Sequence, residues 1–221
     1  MKIVAAKSIL KANDQLAGEN RARFRQAGVF CVNMTGSPGC GKTTLLEHLF
    51  SSPGYAGSPG VIEGDLAGQV DAERIEKLGI PVVQINTDGM CHLDASMIAA
   101  AVEGLNLDEL DLLWIENVGN LVCTAGYDLG EHLRLVVLSV PEGDDKIIKY
   151  PAIFQRSDAL IITKVDLAPY CSFDLVKARA DMKRLAPAAE VFEVSAKSGD
   201  GMPQVAAWLA GRQKEASSGH P

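Results

Sequence analysis

Gly36-Ser37-Pro38-Gly39-Cys40-Gly41-Lys42-Thr43 constrains this chain more than any other stretch. It fits G-x-x-x-x-G-K-[ST], a phosphate-binding loop. Val29 to Met34 is a short, mostly apolar run that reads as a buried strand, and Thr44 to Phe50 reads as an apolar-faced helix. A strand, a glycine-rich turn and a helix N-terminus together make an anion site. Backbone N–H groups point inward, the helix dipole adds partial positive charge, and glycine lets phosphate oxygens approach closely. The residues from Gly36 through Thr43 to Thr44 are therefore the candidate phosphate contacts. Lys42 would reach the terminal phosphates and the Thr43 hydroxyl would bind Mg²⁺.

The 221 residues suit one compact unit with a full core. A formal net charge of −7 argues against wholesale binding to nucleic acid or to an anionic membrane. No apolar run is long enough to span a bilayer, and the N-terminus shows neither an apolar export region nor a small-residue cleavage site. Five cysteines, an odd number, accompany that lack of an export signal. They read as reduced cytoplasmic thiols, available for packing or metal rather than for disulfides.

Strand-like and helix-like stretches alternate along the chain. Residues 1–28 read as an amphipathic helix, with Ile9, Leu10, Leu16, Ala17 and Phe24 on one face and Glu19, Arg21, Arg23 and Arg25 solvated. After the loop at 51–60, strands are expected at 61–63, 81–85, 112–116, 133–140, 159–162 and 191–194. Helices are expected near 68–78, up to about 101, 173–185 and from 203 to about 210. The fold class is α/β: a mainly parallel sheet flanked by helices on both faces, as in P-loop nucleotide hydrolases. The expected division is an N-terminal helix over 1–28, a nucleotide-binding domain over 29–213 and a flexible polar tail over 214–221.

Two later stretches bear on the base. Thr163-Lys164-Val165-Asp166 follows an apolar strand and resembles the guanine-recognition motif Asn-Lys-x-Asp. A carboxylate at Asp166 accepts the paired N1–H and N2–H₂ of guanine, which adenine does not offer. Lys164 would lie along the base, and Thr163 stands where Asn is usual. Ser195-Ala196-Lys197, also after a strand, resembles the last GTPase motif, whose backbone N–H contacts the guanine O6. Between these motifs and the phosphate loop, Glu116-Asn117-Val118-Gly119 resembles Asp-x-x-Gly. A carboxylate at Glu116 would hold the Mg²⁺ shell, and Gly119 would offer its N–H to a γ-phosphate. Asp65 reads either as a second Mg²⁺-side or water-orienting carboxylate, or as a helix N-cap. Lys42, Asp65 and Glu116 are the candidate catalytic residues.

Cys91-His92 and Cys123 are a second chemical signal. Thiolate and imidazole suit Zn²⁺ and Ni²⁺. Adjacent Cys and His is not the spacing of a structural zinc site, and the alternative is a set of packed thiols. Three ligands leave a tetrahedral shell incomplete, whereas two chains about a two-fold axis would supply six. Cys123 lies shortly after Gly119, so nucleotide state would be able to move it. Cys31 and Cys40 read as structural, Cys171 is unassigned, and His48, His132 and His220 read as surface or core residues.

These segments resemble the HypB family of GTPases. The likeness runs through Asn13-Asp14 and Glu19-Asn20-Arg21, Ser37 to Glu47, Ile62 to Asp65, Cys91-His92-Leu93-Asp94, Glu116 to Cys123 and Thr163 to Asp166. The resemblance implies a GTPase of the signal-recognition-particle and MinD-like class that assists nickel insertion into [NiFe]-hydrogenase. It further implies a GTP-promoted homodimer with Cys91, His92 and Cys123 near the interface binding Ni²⁺ or Zn²⁺. The partners it implies are the nickel carrier HypA and the hydrogenase large-subunit precursor. Some relatives carry a cysteine-rich or histidine-rich N-terminal run. This chain starts Met1-Lys2-Ile3-Val4 and has neither, so no nickel-storage role is expected. The competing readings are a urease-type nickel GTPase and a metal-independent GTP switch. No arginine is assigned as a finger, so slow intrinsic turnover is expected.

Overall fold

A computed structural model of the chain describes residues 6–52, 55, 57–66 and 68–218. Seven strands form one sheet: β1 (Phe30–Gly36), β2 (Pro59–Asp65), β3 (Val82–Asn86), β4 (Leu112–Glu116), β5 (Leu133–Ser139), β6 (Ala159–Thr163) and β7 (Glu190–Glu193). Their order is β3-β2-β4-β1-β5-β6-β7, and every pairing is parallel. Every residue of β1, β4, β5 and β6 is buried. This is why these strands read as nearly continuous apolar runs, since a parallel sheet is covered on both faces.

Among the described residues the α-helices are α1 (Ala6–Ala27), α2 (Lys42–Phe50), α3 (Val70–Glu76), α4 (Ala95–Val102), α5 (Lys146–Lys149), α6 (Pro151–Gln155), α7 (Leu175–Leu185) and α8 (Met202–Ser218). Alternate residues of one strand serve opposite layers. Trp114 packs with Leu45, Leu46 and Leu49 of α2 and Val205 of α8, whereas Leu113 and Ile115 pack with Phe24 of α1 and Ile98 of α4. Val136, Leu138 and Leu160 meet Phe154 of α6 and Met182 of α7.

The buried stripe of α1 is not the expected one. Ala17 and Phe24 are buried as expected, but Leu10 is exposed, and Asn13 and Asn20 complete the stripe. Spacings of four, three and four between 13, 17, 20 and 24 put these residues on one helical face. Both amides are satisfied. Asn13 Oδ1 accepts from Ala95 N at 2.9 Å and its Nδ2 donates to Asp128 O at 2.8 Å. Asn20 Nδ2 donates to Ala95 O and Leu129 O at 2.9 and 3.1 Å. Arg21, expected to be solvated, pairs with Asp128 at 2.6 Å. Gly130, with φ 95°, permits this docking, because a Cβ there would lie 2.7 Å from Ala17 O. The side chain of Ile9 lies outside the described residues.

α8 runs on through Lys214 to Ser218, where a loose tail and a helix end near Ala210 were expected. Residues 219–221, including His220, lie outside the described residues. α5 and α6 were not expected; each is a single short turn with too little periodicity to read from sequence.

Candidate nucleotide site and thiol cluster

The phosphate loop joins β1 to α2 at the carboxyl end of the sheet, between flanking strands β4 and β5. Gly39 and Gly41 adopt φ 72° and 98°, a region costly for other residues. At Gly36 a Cβ would sit 2.5 Å from Val137 O. α2 starts without a side-chain cap, which leaves its first N–H groups for an anion.

Lys42 and Thr43 are both buried beside the end of β4. The Thr43 hydroxyl donates to Glu116 Oε1 at 2.9 Å, and Lys42 Nζ lies 4.0 Å from the same oxygen. Glu116 faces Glu63 across the β2–β4 pairing. Each glutamate has an Oε2 that is buried without a hydrogen-bond partner. Burial pushes the Glu116 carboxyl up to about 7 against the pull of Lys42. Burial and then the nearby Glu116 push Glu63 up to about 8. Thr43, Glu116, Glu63 and Asp65 line one cleft of about 390 Å³ with Pro38, Gly119 and Lys164. A hydroxyl and two orphaned carboxylate oxygens are the hard donors that Mg²⁺ takes, so this residue set fits the cation.

Asp65 lies at the rim of this cleft. It caps no helix; its carboxylate accepts from Leu66 N at 2.6 Å and Gly68 N at 2.9 Å. Glu63 was missed in the sequence because a glutamate in a short apolar run reads as an exposed position. Only the strand order sets it against Glu116. Arg74 was also missed. It reaches the cleft wall from α3 but is held by Glu47 and Asp71 at 2.5 and 2.9 Å.

The base-recognition segments converge on the same loop. The Thr163 hydroxyl donates to Cys40 O at 2.6 Å, and Lys164 Nζ donates to Gly39 O at 2.7 Å. Lys164 has φ 58°, which turns the chain sharply at the end of β6. Asp166 accepts from Ser195 Oγ at 2.7 Å, so the two motifs are joined directly. Ala196 is half-buried beside them, and Lys197 is exposed.

Cys91, His92 and Cys123 also come together, with one correction. Cys91 and Cys123 form a disulfide with Cα atoms 6.1 Å apart, where free thiols were expected. Folding of the segment before α4 against the β4–β5 connection brings residues 32 apart in sequence within bridging range. His92 Nδ1 is 3.9 Å from Cys91 Sγ, and its ring stacks on Tyr127 at 3.9 Å. Burial holds the His92 imidazole below its usual value. Among the described residues no group of three or more His, Cys, Asp or Glu side chains forms a ready metal shell. Cys31 and Cys40 are buried free thiols whose titration burial raises, Cys40 to about 11, and Cys171 is free and half-buried. His132 stacks on Phe30 and accepts from Cys31 N at 3.0 Å, while His48 is half-buried near Gly199.

No helix among the described residues is long and apolar enough to cross a membrane. Residues 30–193 match the family model described as CobW/HypB/UreG, nucleotide-binding domain. The hydrogenase maturation factor HypB of Azotobacter vinelandii is 47% identical over 201 residues, which are 91% of this chain and 66% of that protein, just under two thirds of its length. The probable hydrogenase maturation factor HypB of Methanocaldococcus jannaschii is 46% identical over 95% of both chains. The crystal structure of HypB from Helicobacter pylori in complex with nickel superposes with a TM-score of 0.89 at 40% identity. That superposition covers 95% of this chain and 99% of the other. Similarity of this extent in both sequence and fold means that the chain belongs to the HypB family, within the CobW/HypB/UreG nucleotide-binding proteins.

Proposed function

We propose that this chain is a GTP-hydrolysing nickel metallochaperone that assists nickel insertion during [NiFe]-hydrogenase maturation. The observation that carries the reading is the joining of two chemistries through one short segment. β4 ends in Glu116 inside the phosphate cleft, and the same strand-to-strand connection delivers Cys123 to Cys91. The nickel-bound Helicobacter pylori relative and the hydrogenase maturation relatives support the same assignment.

GTP would lie along Gly36 to Thr44, with its base against Lys164, Asp166 and the Ser195 to Lys197 turn. Asp166 accepts the guanine N–H groups, and Ser195 holds its carboxylate in place. Thr163 braces the phosphate loop through the Cys40 carbonyl and so acts behind the base site. Thr43 and Glu116 would hold Mg²⁺, which supplies charge neutralisation at the phosphates. Lys42 adds a buried cation there, and Gly119, where a Cβ would meet Pro38, would offer its N–H to a third phosphate. Asp65 orients water from the rim. Arg74 is engaged by its own carboxylates, so this chain offers no free finger from α3 and slow turnover follows.

Nickel is the cargo. Reduced Cys91 and Cys123 with His92 form a soft half-site, which a second copy completes in a GTP-promoted dimer. HypA and the hydrogenase large-subunit precursor are its proposed partners. The test is equilibrium dialysis with Ni²⁺ under reducing conditions, comparing the wild type with Cys91→Ala and Cys123→Ala. Both variants are expected to lose tight Ni²⁺ binding; unchanged affinity would falsify the metal assignment and leave a metal-independent GTP switch. Because the matching family model is shared with UreG, a urease-directed role is the second reading. Deleting the gene and assaying hydrogenase and urease separately distinguishes the two.

A further inference from the structure

Two asparagines flank the glycine of the Glu116–Gly119 turn, and each reaches a different arm of the thiol cluster. Asn117 is almost wholly buried, and its Oδ1 accepts from Leu93 N at 3.3 Å and from Val118 N at 2.9 Å. Leu93 directly follows Cys91-His92 and is itself fully buried. Asn117 Nδ2 donates to Asn33 Oδ1 at 3.3 Å, and Asn33 donates on to Glu131 at 3.2 Å. The Asn117 backbone N–H is bound to Met34 O of β1 at 2.9 Å.

Asn120 does the same for the other arm. Its backbone forms an isolated antiparallel bridge with Gly36, the first residue of the phosphate loop. Its Oδ1 accepts from Val122 N at 2.6 Å and from Cys123 N at 2.9 Å, and its carbonyl accepts from the Thr124 hydroxyl at 2.7 Å. Gly119 lies between the two asparagines, so close to the loop residue Pro38 that a Cβ on it would meet Pro38 N at 2.9 Å. A shift of Gly119 toward or away from a third phosphate therefore pulls on Leu93 through one amide and on Cys123 through the other. Asn117 lines the cleft beside Gly119, and the hydrogen bonds of both amides go to backbone and to Asn33 rather than to the sulfurs.

We infer that Asn117 and Asn120 are positioning residues that convert the nucleotide state sensed at Gly119 into a change of separation between Cys91-His92 and Cys123. The inference rests on the proposed function of a nickel site coupled to GTP, and it adds the groups that carry the coupling. A two-state element read by both sites is what such coupling requires.

The test measures Ni²⁺ dissociation constants in reduced protein at saturating GDP and at saturating non-hydrolysable GTP analogue. Each protein is then described by the ratio of the two constants. In the wild type the ratio is expected to differ from one by about fivefold or more. Asn120→Ala, at a half-exposed position, is expected to bring it within twofold of one, and Asn120→Asp, which keeps the acceptor for Cys123 N, to restore it. Asn117→Ala is expected to act as Asn120→Ala does. A wild-type ratio of one would overturn the coupled-site reading itself. A clear wild-type ratio retained in Asn120→Ala would overturn this inference and leave that reading standing. Amide hydrogen exchange of the wild type covers the case in which Asn117→Ala fails to fold. Leu93 and Cys123 amides are expected to exchange at different rates with GDP and with the GTP analogue; identical rates would likewise overturn the inference.

Discussion

Glu63 of β2 and Glu116 of β4 stand directly opposite each other on neighbouring strands, both buried, beneath the ammonium of Lys42 and the hydroxyl of Thr43. Two carboxylates enclosed this way cannot both ionise cheaply while one lysine is their neighbouring cation. Folding therefore holds protons on this pair, at about 8 for Glu63 and about 7 for Glu116, against a usual value of 4.5.

The sign of the pH effect follows. Between 4.5 and about 8 the unfolded chain is more ionised than the folded one at these positions. Stability contributed by the pair is fully present below 4.5 and is lost as pH rises through 7 to 8. Thermal unfolding of nucleotide-free, Mg²⁺-free protein is expected to shift to lower temperature between those limits. Glu63→Gln is expected to flatten that dependence and to unfold higher than the wild type at the alkaline end. Parallel curves for the two proteins would count against a shared proton there.

Gly119→Ala tests the contact between the turn and the loop. A Cβ at this position would meet Pro38 N at 2.9 Å and Pro38 Cα at 3.0 Å, both backbone atoms that cannot rotate away. The turn must retreat from the phosphates. Affinity for a GTP analogue is expected to fall tenfold or more, with GDP affected less, since misplacement on the order of 1 Å costs up to about 10²-fold. Titration with fluorescent nucleotides measures both constants. Equal losses for the two nucleotides would remove Gly119 from the third-phosphate position.

Asp166→Asn tests the base. Exchanging a carboxylate for an amide presents a donor to guanine where an acceptor is needed. GTP affinity is expected to fall about 10- to 100-fold, in line with hydrogen bonds to charged groups. Xanthosine triphosphate, which carries a carbonyl at the same edge, is expected to bind better than it does to the wild type. Competition binding of the two nucleotides reads this directly. An unchanged order of preference would rule out Asp166 as the base reader.

Asn20→Ala tests how α1 is held. The substitution leaves the Ala95 and Leu129 carbonyls without their donor beneath the helix. A loss of about 1–3 kcal/mol is expected from urea denaturation, the range for a buried polar group left unpaired. Lys11→Ala, on the exposed side of the same helix, serves as the control and is expected to stay within about 0.5 kcal/mol of the wild type.

Much of the fold was legible because parallel strands buried on both faces leave a plain trace. The runs 112–116 and 159–162 fall within a residue of β4 and β6. The glycine-rich loop was legible for the same reason of necessity: Gly39 and Gly41 need backbone angles that few other residues tolerate. The stripe on α1 was misread because Asn13 and Asn20 count as polar in any one-dimensional pattern, and their partners lie 75 to 115 positions away.

Chemistry set by residue type was accessible from the chain by itself. For the phosphate loop, the carboxylate of Asp166 and the soft donors Cys91, His92 and Cys123, residue type alone sets an expectation of what each would bind. Juxtaposition was not accessible. That Glu63 confronts Glu116, that Ser195 holds Asp166, that Cys91 meets Cys123 and that Asn117 reaches Leu93 all depend on strand order and on how the connections pack over it. Burial and pairing are properties of neighbours distant along the chain. The charge on a carboxylate and the neighbour a thiol meets were therefore decided only once the sheet had closed around them.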